Sequence, residues 1–213
     1  MTTAKTFNPA LLDVLAKEAH GISKDHGFWE NPPSVERSVN LMHSEVSELL
    51  EDLRDGKAIT LFEFLPPAEG QTPSGETGDP SAARSGKPVG PVSELADVVI
   101  RLLDFAGAHG LSLHGNVDFS TFAKNGDVDG WISDMHKSLT RIVAEHHDFP
   151  VSLDLARVPA MREAWRARMA KPVFTSICIV FACAEAHGID LLDAIRVKMA
   201  FNKSRPRKHG KAF

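Results

Sequence analysis

Residues 34–55 read SVERSVNLMHSEVSELLEDLRD, which is the clearest helical pattern in the chain. Ser34 stands where the N-cap of such a helix is expected, and Gly56 follows as a terminator. Apolar side chains recur every three to four positions and so share one face: Met42, Val46, Leu49, Leu50 and Leu53. This range therefore predicts an amphipathic helix with one buried side.

The same period recurs along most of the chain. The composition also favours helices over strands, because the chain is 43% hydrophobic but has only 7% aromatic residues and no tyrosine. Asn8 and Ser93 stand where N-caps are expected, and Gly110 stands where the helix after Ser93 would end. Helical spacing is found in further segments at 8–27, 93–110, 131–146, 156–170 and 172–204. We therefore expect an all-α bundle of seven or eight helices with almost no strand.

One long interruption breaks this pattern between residues 66 and 91. The segment reads PPAEGQTPSGETGDPSAARSGKPVGP, and its only apolar side chains are three alanines and Val89. So little apolar surface predicts a flexible loop with no packed element. The length of the loop leaves two interpretations open, a mobile lid over a functional site or an insertion without function.

A weak internal repeat divides the chain into two halves. Ala-His-Gly occurs at 108–110 and again 78 residues later at 186–188, each time after an apolar helix. Met-His occurs at 42–43 and at 135–136, on an earlier helix in each half. We therefore expect two copies of one helical unit, packed as a single globular body. The expected halves are residues 1–113 and 114–213.

Composition and charge argue against several classes of protein. The formal net charge is −4, and no uncharged apolar run reaches the roughly 18 residues that a membrane-spanning helix needs. The N-terminal segment is polar and then amphipathic, without the apolar core of a signal peptide, so we expect a cytoplasmic protein. Cys178 and Cys183 lie in an apolar run and are expected to be buried free thiols.

Two pairs of acidic residues border the apolar stripes of two predicted helices. Glu45 and Glu48 are three residues apart in the first helix, as are Glu94 and Asp97 in the second, so each pair points to one side. Either pair alone is typical of a solvated helix face. If the two helices pack side by side, the four carboxylates meet, and like charges at that density require a cation. Oxygen ligands select hard ions, so we expect Mg²⁺ or Mn²⁺.

A basic segment, KMAFNKSRPRKHGKAF, occupies residues 198–213. Lys198 and Asn202 are four residues apart and would share a helix face before Pro206. A segment of this composition can bind nucleic acid, close over a phosphate chain or stay a solvated tail. The pattern by itself leaves these three interpretations open.

Four blocks of sequence occur in an order that is typical of one protein family. They are HGFWE (26–30), MHSEVSELLEDLRDGK (42–57), GKPVGPVSELADVVIRLLDFAGAHGL (86–111) and KMAFNKSRPRKHGKAF (198–213). Together they resemble the MazG-like all-α nucleoside triphosphate pyrophosphohydrolases, whose metal motif is two acidic pairs separated by a loop. Residues 112–175 match no block of that family.

The resemblance implies Mg²⁺-dependent hydrolysis of a (deoxy)nucleoside triphosphate to the monophosphate and pyrophosphate, which cleans the nucleotide pool. It implies that a carboxylate of the cluster, Glu45 or Glu48, orients or deprotonates the attacking water. The metal ligands that it implies are Glu45, Glu48, Glu94 and Asp97.

The resemblance also implies how the substrate is held. Lys198, Asn202 and Arg205 would hold phosphates or ribose. Trp29 would stack on the base, although a core-packing role is an equal alternative. The expected partner is a nucleoside triphosphate, the expected assembly is a homodimer, and no nucleic acid or membrane is expected to bind.

The second half departs from the family's metal motif. Alignment of the repeats places Ser138 and Arg141 at the positions of the first acidic pair, and Pro172 and Thr175 at those of the second. The second copy therefore has no carboxylate cluster, whereas the first copy has no equivalent of the basic segment. We expect one composite site, with metal ligands from the first half and a phosphate clamp from the second.

Two other kinds of catalytic site found on helical folds do not suit this chain, because their residues are absent or lie at an expected helix end. A ferritin-type di-iron bundle needs Glu three residues before His, and no histidine in the chain has one. An HD-type phosphohydrolase would need His147 and Asp148, which precede Phe149-Pro150 at an expected helix end. A non-catalytic helical module that binds nucleotide or nucleic acid through the basic segment is the alternative function. The sequence carries no recognisable signal for base or sugar preference.

Overall fold

The computed structural model of the chain describes residues 9–66, 86–115, 126–150 and 158–207. Within these ranges the fold is almost entirely helical, as predicted, with six α-helices and one two-stranded antiparallel sheet. The helices are α1 (Pro9–Asp25), α2 (Val35–Arg54), α3 (Pro91–His109), α4 (Val128–His147), α5 (Pro159–Ala186) and α6 (Leu191–Ser204). The strands are β1 (Glu63–Leu65) and β2 (Lys87–Val89). The expected N-cap Asn8 and loop residues 67–85 lie outside the described ranges.

Helix α3 forms the centre of the bundle. It packs against α1, α2, α5 and α6, while α4 packs against both α2 and α5. Gly107 lets α1 approach closely, because a Cβ at that position would lie 2.4 Å from the Ala16 carbonyl oxygen. Helices from both predicted halves therefore share one core. The side chains of α3 that are fully buried in that core include Leu95, Val99, Leu102, Leu103 and Ala106.

Helix α5 runs without a break through Pro172, which corrects the expectation of two separate helical segments there. Pro172 lacks the N–H that would donate to the Arg168 carbonyl, at a cost of about 3 kcal/mol inside a helix. Pro172 is nevertheless buried, and so are its neighbours Met169 and Val173. Burial contributes about 1.5–3 kcal/mol for each large apolar side chain, so tertiary packing outweighs the local loss. This continuity is one reason why the described residues form fewer helices than predicted.

Helix α5 is also long and apolar enough to cross a membrane by length and composition alone. No uncharged run of the sequence reveals this helix, because charged residues interrupt it; its most apolar 18-residue stretch nevertheless has a mean hydropathy of 1.5. In the fold, 61% of that stretch is buried inside the protein, as in the core helix of a soluble protein. Cys178 and Cys183 lie in α5 as buried free thiols, as predicted, and burial raises the pKa of each to about 12.

The last residues of the predicted loop are packed, contrary to expectation. Strand β2 pairs with β1, with Pro88 opposite Phe64, and Pro88 is buried. The pairing partner lies before the loop, so the composition of residues 66–91 alone could not reveal it. Gly90 then leads into α3 with a φ of 96°, a conformation that favours glycine.

Of the predicted helix caps, those at Ser34 and Gly110 are confirmed and that at Ser93 is wrong. Ser34 caps α2, because its side chain accepts a hydrogen bond from the Arg37 N–H, and Gly110 ends α3 in the left-handed conformation. Both were predicted. Ser93 does not cap α3, because the helix begins earlier, at Pro91. Its hydroxyl is instead fully buried inside the bundle.

Candidate metal centre

Helices α2 and α3 pack side by side and bring three of the four predicted metal ligands together. One carboxylate oxygen from each of Glu45, Glu94 and Asp97 lies within 4.8 Å of the other two. Glu45 is buried on α2, and the other two are half-buried on α3. The three-residue spacing between Glu94 and Asp97 keeps both on one side of α3, where α2 meets it. These three residues are called the carboxylate cluster below.

Burial weakens the acidity of two carboxyl groups of the cluster, those of Glu94 and Glu45. Desolvation raises the pKa of Glu94 to about 7, with Lys198 opposing the rise and the charges of Asp97 and Glu45 adding to it. Desolvation also raises the pKa of Glu45, against the attraction of Arg101. A bound divalent cation would supply the positive charge that keeps both groups ionised. Because carboxylate oxygens are hard ligands, the donor set fits Mg²⁺ or Mn²⁺.

Glu48, the fourth predicted ligand, lies at the exposed rim of the cluster. Its Oε1 accepts a hydrogen bond from the Ser44 hydroxyl at 3.3 Å. Its negative charge raises the pKa of Glu45 and of Glu94 less than burial and the charge of Asp97 do. Glu48 therefore faces the solvent side of the cluster and does not converge with the other three carboxylates.

Two cations partly neutralise the cluster. Arg101 Nε lies 2.5 Å from Glu45 Oε1, and Lys198 Nζ lies 2.9 Å from Asp97 Oδ2. Arg101 was not predicted as a site residue. It follows Asp97 by four residues and so lies on the same side of α3, which is the sequence signal that could have identified it.

Lys198 reaches the cluster from α6 and is itself buried. Besides its ion pair with Asp97, its ammonium group donates to the Ser93 hydroxyl and, at 3.3 Å, to the Pro88 carbonyl. Ser93 in turn donates to that carbonyl at 3.0 Å. Strand β2 and the first turn of α3 thus hold the ammonium group in place. Local spacing could not reveal this contact, because the partners are far apart along the chain.

Asn202 and Arg205 follow Lys198 at the end of α6. Asn202 Oδ1 is buried and has no hydrogen-bond partner within the part of the chain that the structure describes. Arg205 lies with its guanidinium 5.7 Å from the centre of the Phe201 ring. Burial lowers the pKa of Arg205, against the attraction of Asp97. Because unpaired buried acceptors are rare, Asn202 Oδ1 is a group that a ligand or a water would satisfy.

Trp29 follows α1 in the chain and lies beside Asp104 of α3. Its indole N–H donates to the Asp104 carboxylate at 2.9 Å, and His20 Nδ1 lies 3.0 Å from the same oxygen. Asp104 follows Asp97 by seven residues, which is two helical turns, or about 10 Å, along one face of α3. Trp29 therefore sits at the far end of the face that carries the carboxylate cluster.

In comparisons with known proteins, the chain matched no protein-family model, no curated protein and no solved structure at a significant level. The interpretation of the site therefore rests on its own residues and their chemistry. Those residues are a half-buried set of carboxylates, two paired cations and one unsatisfied amide oxygen.

Proposed function

We propose that this protein is a MazG-like, Mg²⁺-dependent nucleoside triphosphate pyrophosphohydrolase. The observation that carries the proposal is the convergence of Glu45, Glu94 and Asp97, with Lys198 paired to Asp97 at the same place. Clustered carboxylates that need a cation, next to a lysine whose positive charge attracts phosphate oxygens, suit a metal–triphosphate complex better than any neutral ligand. The proposed role is cleaning of the cytoplasmic nucleotide pool.

The carboxylate cluster would hold the metal. When bound, Mg²⁺ supplies positive charge that neutralises phosphate oxygens. Glu48, which faces solvent beside the cluster, is the carboxylate that accepts the proton of the attacking water. The water oxygen bonds to one phosphorus of the bridge between the α- and β-phosphates, and the bridging P–O bond breaks. The nucleoside monophosphate and pyrophosphate then leave.

The remaining polar groups would orient the substrate. Lys198 and Arg205 provide two cations near Asp97 for the phosphates. Asn202 Oδ1 would accept a hydrogen bond from a sugar hydroxyl or base N–H, which relieves its unpaired state. Asp104, the hydrogen-bond partner of Trp29, lies about 10 Å along α3 from Asp97, a distance that an extended nucleotide spans between phosphate and base.

One contact supports the proposed repeat. His43 and His136, which occupy equivalent positions in the two copies, stack with ring centroids 5.0 Å apart, and their Nδ1 atoms are 2.7 Å apart. Equivalent residues meet in this way at a two-fold axis. The helix contacts agree, since α2 packs on α3 as α4 packs on α5. This arrangement supports one composite site per chain, with ligands from the first half and Lys198 from the second. We propose that two such chains form a homodimer.

A nucleotide panel with Mg²⁺ tests the proposal, with pyrophosphate and orthophosphate measured separately. We expect stoichiometric pyrophosphate and monophosphate from at least one nucleoside triphosphate. Glu48→Gln keeps the shape of the side chain and should abolish turnover without unfolding the protein. Wild-type turnover by this variant would contradict the assignment of Glu48. Tight nucleic-acid binding with a steep salt dependence and no hydrolysis would favour the non-catalytic module.

A further inference from the structure

A cavity of about 360 Å³ lies between α4 and α5. Its lining includes Ser138, Arg141, Pro172 and Thr175. These are the four positions that the repeat aligns with the two acidic pairs of α2 and α3. The cavity therefore occupies in the second half the place that the carboxylate cluster occupies in the first. Its volume lies within the range of small-molecule sites, about 300–1,000 Å³.

The charge of this cavity is the reverse of that at the carboxylate cluster. None of the four aligned positions keeps a carboxylate, and one of them carries the guanidinium of Arg141. Lys137 and Lys171 add two exposed cations to the lining. Neither lysine has an acidic partner among the described residues. Both ammonium groups can therefore donate to a ligand.

The acidic residues of the lining do not cancel this charge. Glu145 pairs with Arg141 and also with Arg168, whose Nε lies 2.6 Å away. The hydrogen bond from Arg141 is the largest cause that lowers the pKa of Glu145. Asp134 is the other carboxylate of the lining. The surplus is positive, because three cations line the cavity beside two carboxylates.

One wall of the cavity is uncharged. Pro172 and Thr175 stand there in place of the acidic pair of α3. A planar or apolar group can lie against this wall while an anionic group of the same molecule meets the lysines. A cavity with one neutral wall and a cationic edge is suited to a small molecule that carries both kinds of group.

We propose that this cavity binds a small phosphorylated molecule without a divalent metal. Lys137 and Lys171 hold the phosphate oxygens, and Pro172 and Thr175 contact the rest of the ligand. The inference does not depend on hydrolysis at the carboxylate cluster, because the two sites share no residue.

Calorimetric titration with AMP at low ionic strength, in EDTA, tests the proposal. EDTA removes divalent metal from the carboxylate cluster, so binding measured there is metal-independent. We expect wild type to bind AMP, and Lys137→Gln/Lys171→Gln to bind one AMP fewer per chain. Lys17→Gln/Lys24→Gln removes the same charge from exposed positions of α1 and should bind AMP as wild type does. Adenosine, which lacks the phosphate, should bind at least tenfold more weakly than AMP.

A second variant tests the neutral wall. Thr175→Trp fills the cavity from α5 and should also remove one bound AMP per chain, while circular dichroism confirms that the helices are intact. Equal AMP binding by the two double-lysine variants would overturn the proposal. So would adenosine binding as tight as AMP binding, wild-type affinity in Thr175→Trp, or no metal-independent AMP binding by wild type.

Discussion

The ammonium nitrogen of Lys198 lies 2.9 Å from the Asp97 carboxylate, and this ion pair joins α6 to the central helix at the carboxylate cluster. Both side chains are largely buried there, so each depends on the other for compensation of its charge. The pair ties residues of the second half of the chain to the metal ligands of the first. It therefore links the stability of the bundle to the chemistry proposed for the site.

Lys198→Met should destabilise the protein in the absence of metal. The substitution keeps much of the side-chain volume but leaves the carboxylates without their buried cation, which costs about 3 kcal/mol. Lys203→Met, at an exposed position of the same helix, should change the free energy of unfolding by no more than about 0.5 kcal/mol. Urea unfolding in EDTA measures both values. Equal stability of the two variants would show that the ion pair contributes nothing.

The same variant separates substrate binding from metal binding. Lys198→Met should still bind Mg²⁺, because no ligand oxygen is removed, while kcat/KM for a nucleoside triphosphate falls at least tenfold. Metal titration and steady-state kinetics on one preparation give both readouts. If Mg²⁺ binding is lost together with activity, Lys198 positions the cluster and does not contact the substrate.

The stability of the metal-free protein should fall as the pH rises from 6 to 8. Burial raises the pKa of Glu94 to about 7, above its ordinary value of 4.5. The folded protein therefore keeps a proton that the unfolded chain has released, and this stabilisation is lost as the pH passes 7. Bound Mg²⁺ favours the ionised group, so Mg²⁺ should raise Tm more at pH 8 than at pH 6. Glu94→Gln should reduce both pH effects, and the raised pKa of Glu45 accounts for what remains.

The titration of His109 opposes the effect of Glu94 on stability at low pH and so sets the lower pH limit of this test. Burial lowers the pKa of His109 to about 4 from its ordinary value of 6.5. The unfolded chain therefore binds a proton that the folded protein does not, and stability rises with pH between 4 and 6.5. Melting curves at pH 6 and above avoid most of this opposing effect. A pH dependence of Glu94→Gln identical to that of wild type would contradict the assignment to Glu94.

Two substitutions at Trp29 distinguish a substrate contact from a packing role. Trp29→Phe keeps an aromatic ring but loses the hydrogen bond to Asp104, so it should cost about 1–2 kcal/mol of stability with little change in KM. Trp29→Leu removes the ring and should raise KM several-fold if the ring stacks on the base. Thermal melts and substrate titrations measure the two effects. Equal KM values for both variants and wild type would leave Trp29 a packing residue.

Replacement of residues 67–85 by a short Gly/Ser linker should leave Tm nearly unchanged. The segment contributes almost no apolar side chain, and loop closure depends only weakly on length. The replacement must keep residues 86–91, because β2 and Gly90 hold the start of α3. A large fall in Tm would show that the segment packs, and loss of activity at unchanged Tm would identify it as a lid.

The sequence predicted those parts of the fold and site that depend on local spacing. The helical period located α2 and α3, and the three-residue spacing of Glu94 and Asp97 put both on the side of α3 that meets Glu45. Spacing along one helix is fixed by the helix itself, so no tertiary information was needed.

Features that depend on distant residues were missed. Ser93 resembled an N-cap, but its hydroxyl receives the ammonium group of Lys198, which is 105 residues away in the chain. Pro172 resembled a helix boundary, yet burial against other helices keeps α5 continuous. In both cases a local preference of less than a few kcal/mol was overridden by tertiary contacts.

The central claim is that the carboxylate cluster holds a divalent cation, and Mn²⁺ titration followed by electron paramagnetic resonance tests it most directly. Free Mn²⁺ gives a strong signal that binding removes, so bound metal is counted without an activity assay. Glu185→Gln, an exposed acid on α5, is the matched control for Glu94→Gln. The account predicts tight Mn²⁺ binding by wild type and Glu185→Gln and at least tenfold weaker binding by Glu94→Gln. Equal binding by the two variants, or none by wild type, would contradict it.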